Sequence, residues 1–130
     1  MSHQTLQMLV LCGAFFLAAC ATKHPQAEKH RQWTANEVNG LTMSLVDPVR
    51  IERMQFTPDG LAPVSFGFRR GNLTSVCAPL YYWKLVSGRL RIFTYSGVTY
   101  EEFTLISRDA TTVTVRRHNG KVAKYKILPK

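Results

Sequence analysis

Residues 81–95 read YYWKLVSGRLRIFTY, and this stretch decides the fold class. Tyr81, Trp83 and Leu85 alternate with Tyr82 and Lys84. Ser87-Gly88 then breaks the run, and Arg89 and Arg91 share one face of the segment that continues to Tyr95. A period of two on both sides of a turn dipeptide is the signature of a β-hairpin. Downstream, Ser96-Gly97 turns the chain into a strand around Tyr100 to Ile106, with Phe103 and Leu105 as its inward pair. Val113 and Val115 follow, Asn119-Gly120 is a strong hairpin signal, and Val122 to Leu128 returns with Ala123, Tyr125 and Ile127 on one face.

Upstream of the hairpin the same period holds back to Gly40. Leu41, Met43 and Leu45 alternate with Thr42 and Ser44 until Asp47-Pro48. Met54 and Phe56 share a face before the turn Thr57-Pro58-Asp59-Gly60, whose residues have turn chemistry at each position. Val64, Phe66 and Phe68 face one way until Arg70-Gly71-Asn72. The expected fold is therefore all-β: about seven or eight short antiparallel strands in a meander that closes into a small barrel, with a two-sheet sandwich as the alternative. Closure removes exposed strand edges, and Lys121, Lys124 and Lys126 would protect the last strand if the sheet stayed open.

Composition sets the frame around this meander. The 130 residues are 45% hydrophobic and 19% charged, with 17 Lys and Arg against 8 Asp and Glu for a formal net charge of +9. One globular domain fits these values, and a large two-domain enzyme does not. The charge points to nucleic acid, an anionic membrane or an acidic partner.

The N-terminus narrows that choice. Met8–Ala19, MLVLCGAFFLAA, is uncharged and shorter than the about 20 apolar residues a spanning helix needs, so it reads as the core of an export signal helix over residues 1–19. Leu17-Ala18-Ala19-Cys20 resembles the lipobox of bacterial lipoproteins. The resemblance implies that the Cys20 thiol carries diacylglycerol, that cleavage precedes it, and that the new N-terminus is acylated. Several acyl chains hold a protein on a membrane without crossing it. Ala21 follows, with no Asp to retain the protein at the inner membrane, so the expected address is the cell envelope, as an outer-membrane lipid anchor facing the periplasm. Export also removes nucleic acid as a partner.

Residues 20–40 are then the lipidated cysteine and a tether, polar as far as Gln32, with a short helical turn from Trp33 to Val38 for which Thr34 is a candidate cap. Residues 41–130 form the β-domain. Cys12 leaves with the signal and Cys20 carries lipid, so Cys77 stands alone, without an internal disulfide, and is expected to be buried and inert.

Phe56-Thr57-Pro58-Asp59-Gly60, followed by Tyr82-Trp83-Lys84-Leu85 and Gly88-Arg89-Leu90-Arg91-Ile92, resembles the small lipocalin-like β-domains of bacterial envelope proteins. A lipocalin-type first strand carries Gly-x-Trp, whereas Trp33 follows Arg31-Gln32, so a ligand-filled calyx and a side-chain-filled interior both stay open. Ser96-Gly97-Val98-Thr99-Tyr100 also fits the Ser-Gly-x-x-Tyr element of periplasmic inhibitors of C-type lysozyme, although the second element of that family is absent. A plain Ser-Gly turn entering a strand accounts for the same residues.

Catalytic groupings are not evident. His24, His30 and His118 have no metal-binding spacing, and Glu101 and Glu102 fall on opposite faces of a strand. No cofactor or metal is expected, and an enzyme is not the expectation. The candidate binding residues are Arg89, Arg91 and Arg116 with the aromatic side chains Tyr82, Tyr95 and Tyr100. Their expected partners are the membrane, through the lipid on Cys20, and an anionic envelope component or an acidic protein. Three functions remain: a binding or structural module, an inhibitor or immunity-type protein against an envelope hydrolase, and a lipocalin-like carrier of a small apolar ligand.

Overall fold

A computed structural model describes residues 31–129. The expected signal helix (1–19), Cys20, most of the expected tether and Lys130 lie outside the described residues. One helical turn, α1 (Ala35–Val38), precedes nine strands: β1 (Thr42–Leu45), β2 (Arg50–Gln55), β3 (Leu61–Arg70), β4 (Leu73–Cys77), β5 (Leu80–Val86), β6 (Arg89–Phe93), β7 (Thr99–Arg108), β8 (Thr112–Arg116) and β9 (Val122–Ile127). All pair antiparallel. Eight of them close a ring, β1-β2-β3-β5-β6-β7-β8-β9 and back to β1, and β4 hangs on β3 outside it. Met43 joins the ring at its seam, opposite Met54 on one side and Ile127 on the other. The sandwich alternative is thereby excluded.

Alternation fills the ring with side chains. Met43, Met54, Phe56, Leu90, Ile92, Phe103, Leu105, Val113, Val115 and Tyr125 are fully buried, and Tyr81, Trp83 and Leu85 pack against them. The interior is a packed core, the outcome expected when a small eight-stranded barrel is just wide enough for its own residues. Trp83 sits edge-on to Phe56 with ring centroids 6.3 Å apart, and its Nε1 donates to the Thr57 carbonyl at 2.7 Å.

The strands run between two unlike ends. At one end, the segment Arg31–Gly40 crosses the opening. Trp33 is 3% exposed, its backbone N–H donates to the Gly88 carbonyl at 2.9 Å, and its Nε1 donates to the Phe103 carbonyl at 3.1 Å. Thr34 and Glu37 form a reciprocal capping box on α1, which turns Val38 into the core. The domain thus begins before residue 41: Trp33–Gly40, expected as the end of the tether, is a lid on the barrel. The lid depends on Gly88, whose φ of +75° suits the two-residue turn after Val86 and where a Cβ would stand 2.6 Å from the Gln32 side chain.

The opposite end is an open rim built from the β1–β2 loop and the turns after β3, β6 and β8. Two of these turns, Thr94–Val98 and Arg117–Lys121, share one construction: the first N–H donates to the last carbonyl, and a glycine in the left-handed region closes the turn. From this rim the β3–β4 hairpin projects. Val64 is buried, Phe66 half-buried and Phe68 exposed, so β3 keeps one facing but outruns the barrel. Every residue of β4 is exposed. The expected burial of Cys77 is therefore corrected: the cysteine lies on a strand outside the ring, with solvent on both faces.

Candidate functional site

On the outer wall, β5 and β6 assemble a cationic and aromatic face. Lys84 pairs across to Arg91 and Tyr82 to Phe93. Tyr82 stacks on Phe93 with ring centroids 5.9 Å apart and lies 6.3 Å from Tyr95, which is 91% exposed. The Lys84 ammonium sits 5.0 Å from the Phe93 ring centre, within cation–π reach. Glu102 on β7 binds both arginines, Arg89 Nη1 at 2.9 Å and Arg91 Nε at 2.9 Å, so one carboxylate orders two guanidinium groups and leaves the face positive. Of the six expected binding residues, Arg89, Arg91, Tyr82 and Tyr95 come together here. Arg116 stands on β8, with β7 between it and the pair, and bonds the Gly120 carbonyl at 3.1 Å.

Tyr100 is the exception, and its expected place among surface contacts is corrected. Ile92 pairs with Glu101 and Phe93 with Thr99, which leaves Tyr100 as the extra residue of a β-bulge. A bulge re-aims the side chain it carries. Tyr100 is turned towards the barrel mouth, where it stacks on Tyr81 at 4.5 Å and donates to Glu52 Oε2 at 3.1 Å.

That bond leads into an ionic cluster inside the rim that the sequence reading missed. Glu52 and Glu101 are 2% and 3% exposed. Arg117 lies between them, with Nη2 3.0 Å from Glu52 Oε2 and Nε 2.9 Å from Glu101 Oε2. Its Nη1 donates to the Tyr125 hydroxyl at 3.1 Å, and that hydroxyl donates to the other oxygen of Glu52. His118 caps the outer side: its backbone N–H donates to Glu101 Oε1 at 3.0 Å, and Nδ1 meets the same oxygen. Among the described residues no buried side-chain polar atom lacks a partner.

Burial pushes the Glu101 carboxyl up, but the His118 side-chain and backbone bonds and the Arg117 charge overcome it and hold it below the usual carboxylate range. Burial likewise works against the Arg117 charge, yet Glu52, Tyr125 and Glu101 leave it more firmly protonated than a free arginine. Burial and then the Glu52 carboxylate drive the Tyr125 and Tyr100 hydroxyls well above the ordinary tyrosine range. The cluster therefore stores fixed charges and keeps its phenols protonated. Its sequence signal was parity: Glu52 shares a face with Met54 and Phe56, and Glu101 shares one with Phe103 and Leu105. A carboxylate on a core face demands a buried cation.

The remaining carboxylates are also engaged within the domain. Glu37 caps α1 and meets Arg31 and Arg108 at 3.5 and 3.7 Å. Asp47 accepts from the N–H groups of Val49 and Arg50, Asp59 from the Thr57 hydroxyl, and Asp109 from Thr111 and Thr112. Every acidic side chain among the described residues thus has an internal partner. Arg50, Arg53, Arg69, Arg70, Lys84 and Lys124 make no ion pair there, so the positive charge is concentrated on the surface. Set against known protein families, curated proteins and solved structures, the chain matches none.

Proposed function

We propose that this chain is a lipid-anchored envelope protein, held through Cys20 at the outer membrane and facing the periplasm, whose small β-barrel is a binding module for an anionic partner. The observation that carries the reading is the division of charge: the carboxylates are held by internal partners, while unpaired lysines and arginines face solvent beside the half-buried Tyr82 and Phe93 and the exposed Tyr95. A packed interior supports binding on the outside rather than in a calyx. Opposite charge steers encounter, and aromatic side chains supply contact area once docked.

Two measurements test the two halves of this reading. Membrane recovery and lipid labelling of the full chain are expected to be lost in Cys20→Ser; recovery unchanged by the substitution would sink the anchor. Capture of the envelope partner is expected to weaken with added salt and with a paired Arg89→Glu, Arg91→Glu substitution. Capture indifferent to both would remove the cationic face from the function.

A second reading has one observation in its favour. The Thr94–Val98 turn carries Tyr95 and Val98 outward on a filled barrel, the arrangement an inhibitor uses to enter an envelope hydrolase. Tyr100, the last residue of the Ser-Gly-x-x-Tyr element, is turned inward, so such an inhibitor would act through Tyr95 instead.

A further inference from the structure

We infer that the open edge of β4 is a docking site for an extended, acidic segment of a partner protein, which adds to the sheet as a further strand. Among the described residues the strands of the ring are paired on both sides, whereas β4 pairs with β3 alone. Its sequence, Leu73-Thr74-Ser75-Val76-Cys77, has neither charge nor proline, and its register with β3 runs from Leu73 to Cys77 without a bulge. Edge strands in natural proteins are ordinarily blunted by such devices. Here Lys124 and Lys126 sit on β9, which is paired on both sides, and the one strand that hangs outside the ring carries no lysine. An unpaired row of N–H and C=O groups flanked by side-chain sites is the arrangement that receives an added strand.

The side chains around the edge define what it accepts. Phe68 pairs with Ser75 and Arg70 with Leu73, so the inward face of the hairpin offers Phe68 and Leu73, 57% and 76% exposed, beside Arg70. Arg50 of β2 lies opposite Phe68 on the other flank of β3. On the outward face Val76 is exposed, with Arg69 on β3. The one carboxylate of the adjoining β1–β2 loop, Asp47, is held by backbone N–H groups and lies near Arg50, and among the described residues Arg69 and Arg70 form no ion pair. An incoming strand with apolar side chains on the face of Phe68 and Leu73 and carboxylates on the face of Arg69 complements the edge, and Arg70 adds to the positive field beside it. A second copy of this chain would bring more positive charge to the same edge, and for that reason a different, acidic partner is favoured.

The hairpin is also seated by a specific device. At Gly67, opposite Val76, a Cβ would stand 1.7 Å from the Ser75 carbonyl oxygen and 2.9 Å from the Val76 Cα. Only a residue without a side chain lets β4 lie this close to β3. Gly67→Ala is therefore a switch for the edge: it displaces β4 while the ring, which does not include β4, keeps its pairs.

The test uses the full chain in detergent and a capped peptide of about ten residues alternating valine or threonine with glutamate, the pattern a strand-adding ligand needs. Binding is expected at low salt with slowed hydrogen exchange at residues 73–77. It should weaken about tenfold or more in Gly67→Ala and in Arg69→Glu with Arg70→Glu, and fail for a lysine version of the peptide, as charge complementarity requires. Near-native thermal stability of Gly67→Ala confirms that the ring survives and that loss of binding reports on β4. The inference is overturned by peptide binding without protection of β4, or by binding that ignores Gly67→Ala. It is equally overturned by protection that appears without peptide as the protein concentration rises, which would assign the edge to a second copy, or by competition from anionic vesicles alone. The β5–β6 face responds to Arg89 and Arg91 instead, so the two surfaces fail independently.

Discussion

The Arg117 guanidinium meets Glu52 at 3.0 Å and Glu101 at 2.9 Å beside the apolar core of the barrel. Removing one member of a buried ion pair leaves its partner uncompensated, which costs about 3–5 kcal/mol. Arg117→Ala is therefore expected to lower unfolding free energy by that amount in urea titration, and more than Glu52→Gln, which keeps the shape and leaves Glu101 as counter-ion. Equal and small effects from both substitutions would show that the cluster does not support the fold.

Acid sensitivity follows from one carboxyl of this cluster and one in the β7–β8 turn. Asp109 is pulled down to about 2 by the Thr111 and Thr112 N–H groups and hydroxyls, and Glu101 is held below its ordinary value once His118 and Arg117 overcome its burial. A carboxyl whose pKa is depressed by folding stabilises the native state above the unfolded value and ceases to do so as pH falls through the folded one. Thermal melts are expected to be level from neutrality to about pH 5 and to decline from about pH 4 downward, given an unfolded carboxyl pKa near 4. A midpoint that stays level to pH 2 would contradict this.

Trp33 is the bolt of the closed end. Truncating it to alanine empties a buried site and removes the indole bond to the Phe103 carbonyl while keeping the backbone bond to Gly88, for an expected loss of about 3–5 kcal/mol. Trp33→Phe keeps most of the volume and loses one hydrogen bond, at about 1 kcal/mol. A chain shortened to start at residue 41 is expected to give a poorly dispersed amide spectrum, and a well-dispersed one would show that the lid is dispensable.

Cys77 offers a direct readout of β4. An exposed thiol on a strand outside the ring is expected to react stoichiometrically with a maleimide under native conditions, without a change in far-ultraviolet dichroism. Modification that proceeds only in denaturant would place the residue in the core.

Most of the barrel was legible because period-two alternation and turn chemistry are local. The hairpin around Ser87-Gly88, the return at Asn119-Gly120 and the facing of Ala123, Tyr125 and Ile127 all follow from neighbouring residues. What escaped was set by long-range geometry. β4 carries no alternation because neither face is buried, so its pattern is silent. Tyr100 was misplaced because a bulge depends on the register with β6, which no stretch of β7 encodes alone. The ionic cluster gathers residues from β2, β7, β9 and the β8–β9 turn, and only ring closure brings Glu52 to Arg117. The candidate surface was half legible: Arg89, Arg91 and Tyr82 share a hairpin, whereas their restraint by Glu102 comes from the next strand.

The seam of the ring has a kinetic meaning. Met43 pairs with Ile127, so the first strand finds one of its two neighbours only when nearly the whole domain has emerged. Contacts between distant parts of a chain form slowly because loop entropy opposes them. During synthesis and any passage across a membrane, this chain cannot complete its barrel ahead of β9, and β1 and β8 remain unpaired on that side until β9 arrives. A stop before β9 would leave both as sticky edges, so aggregation of such nascent fragments, rather than partial function, is the fate the architecture dictates.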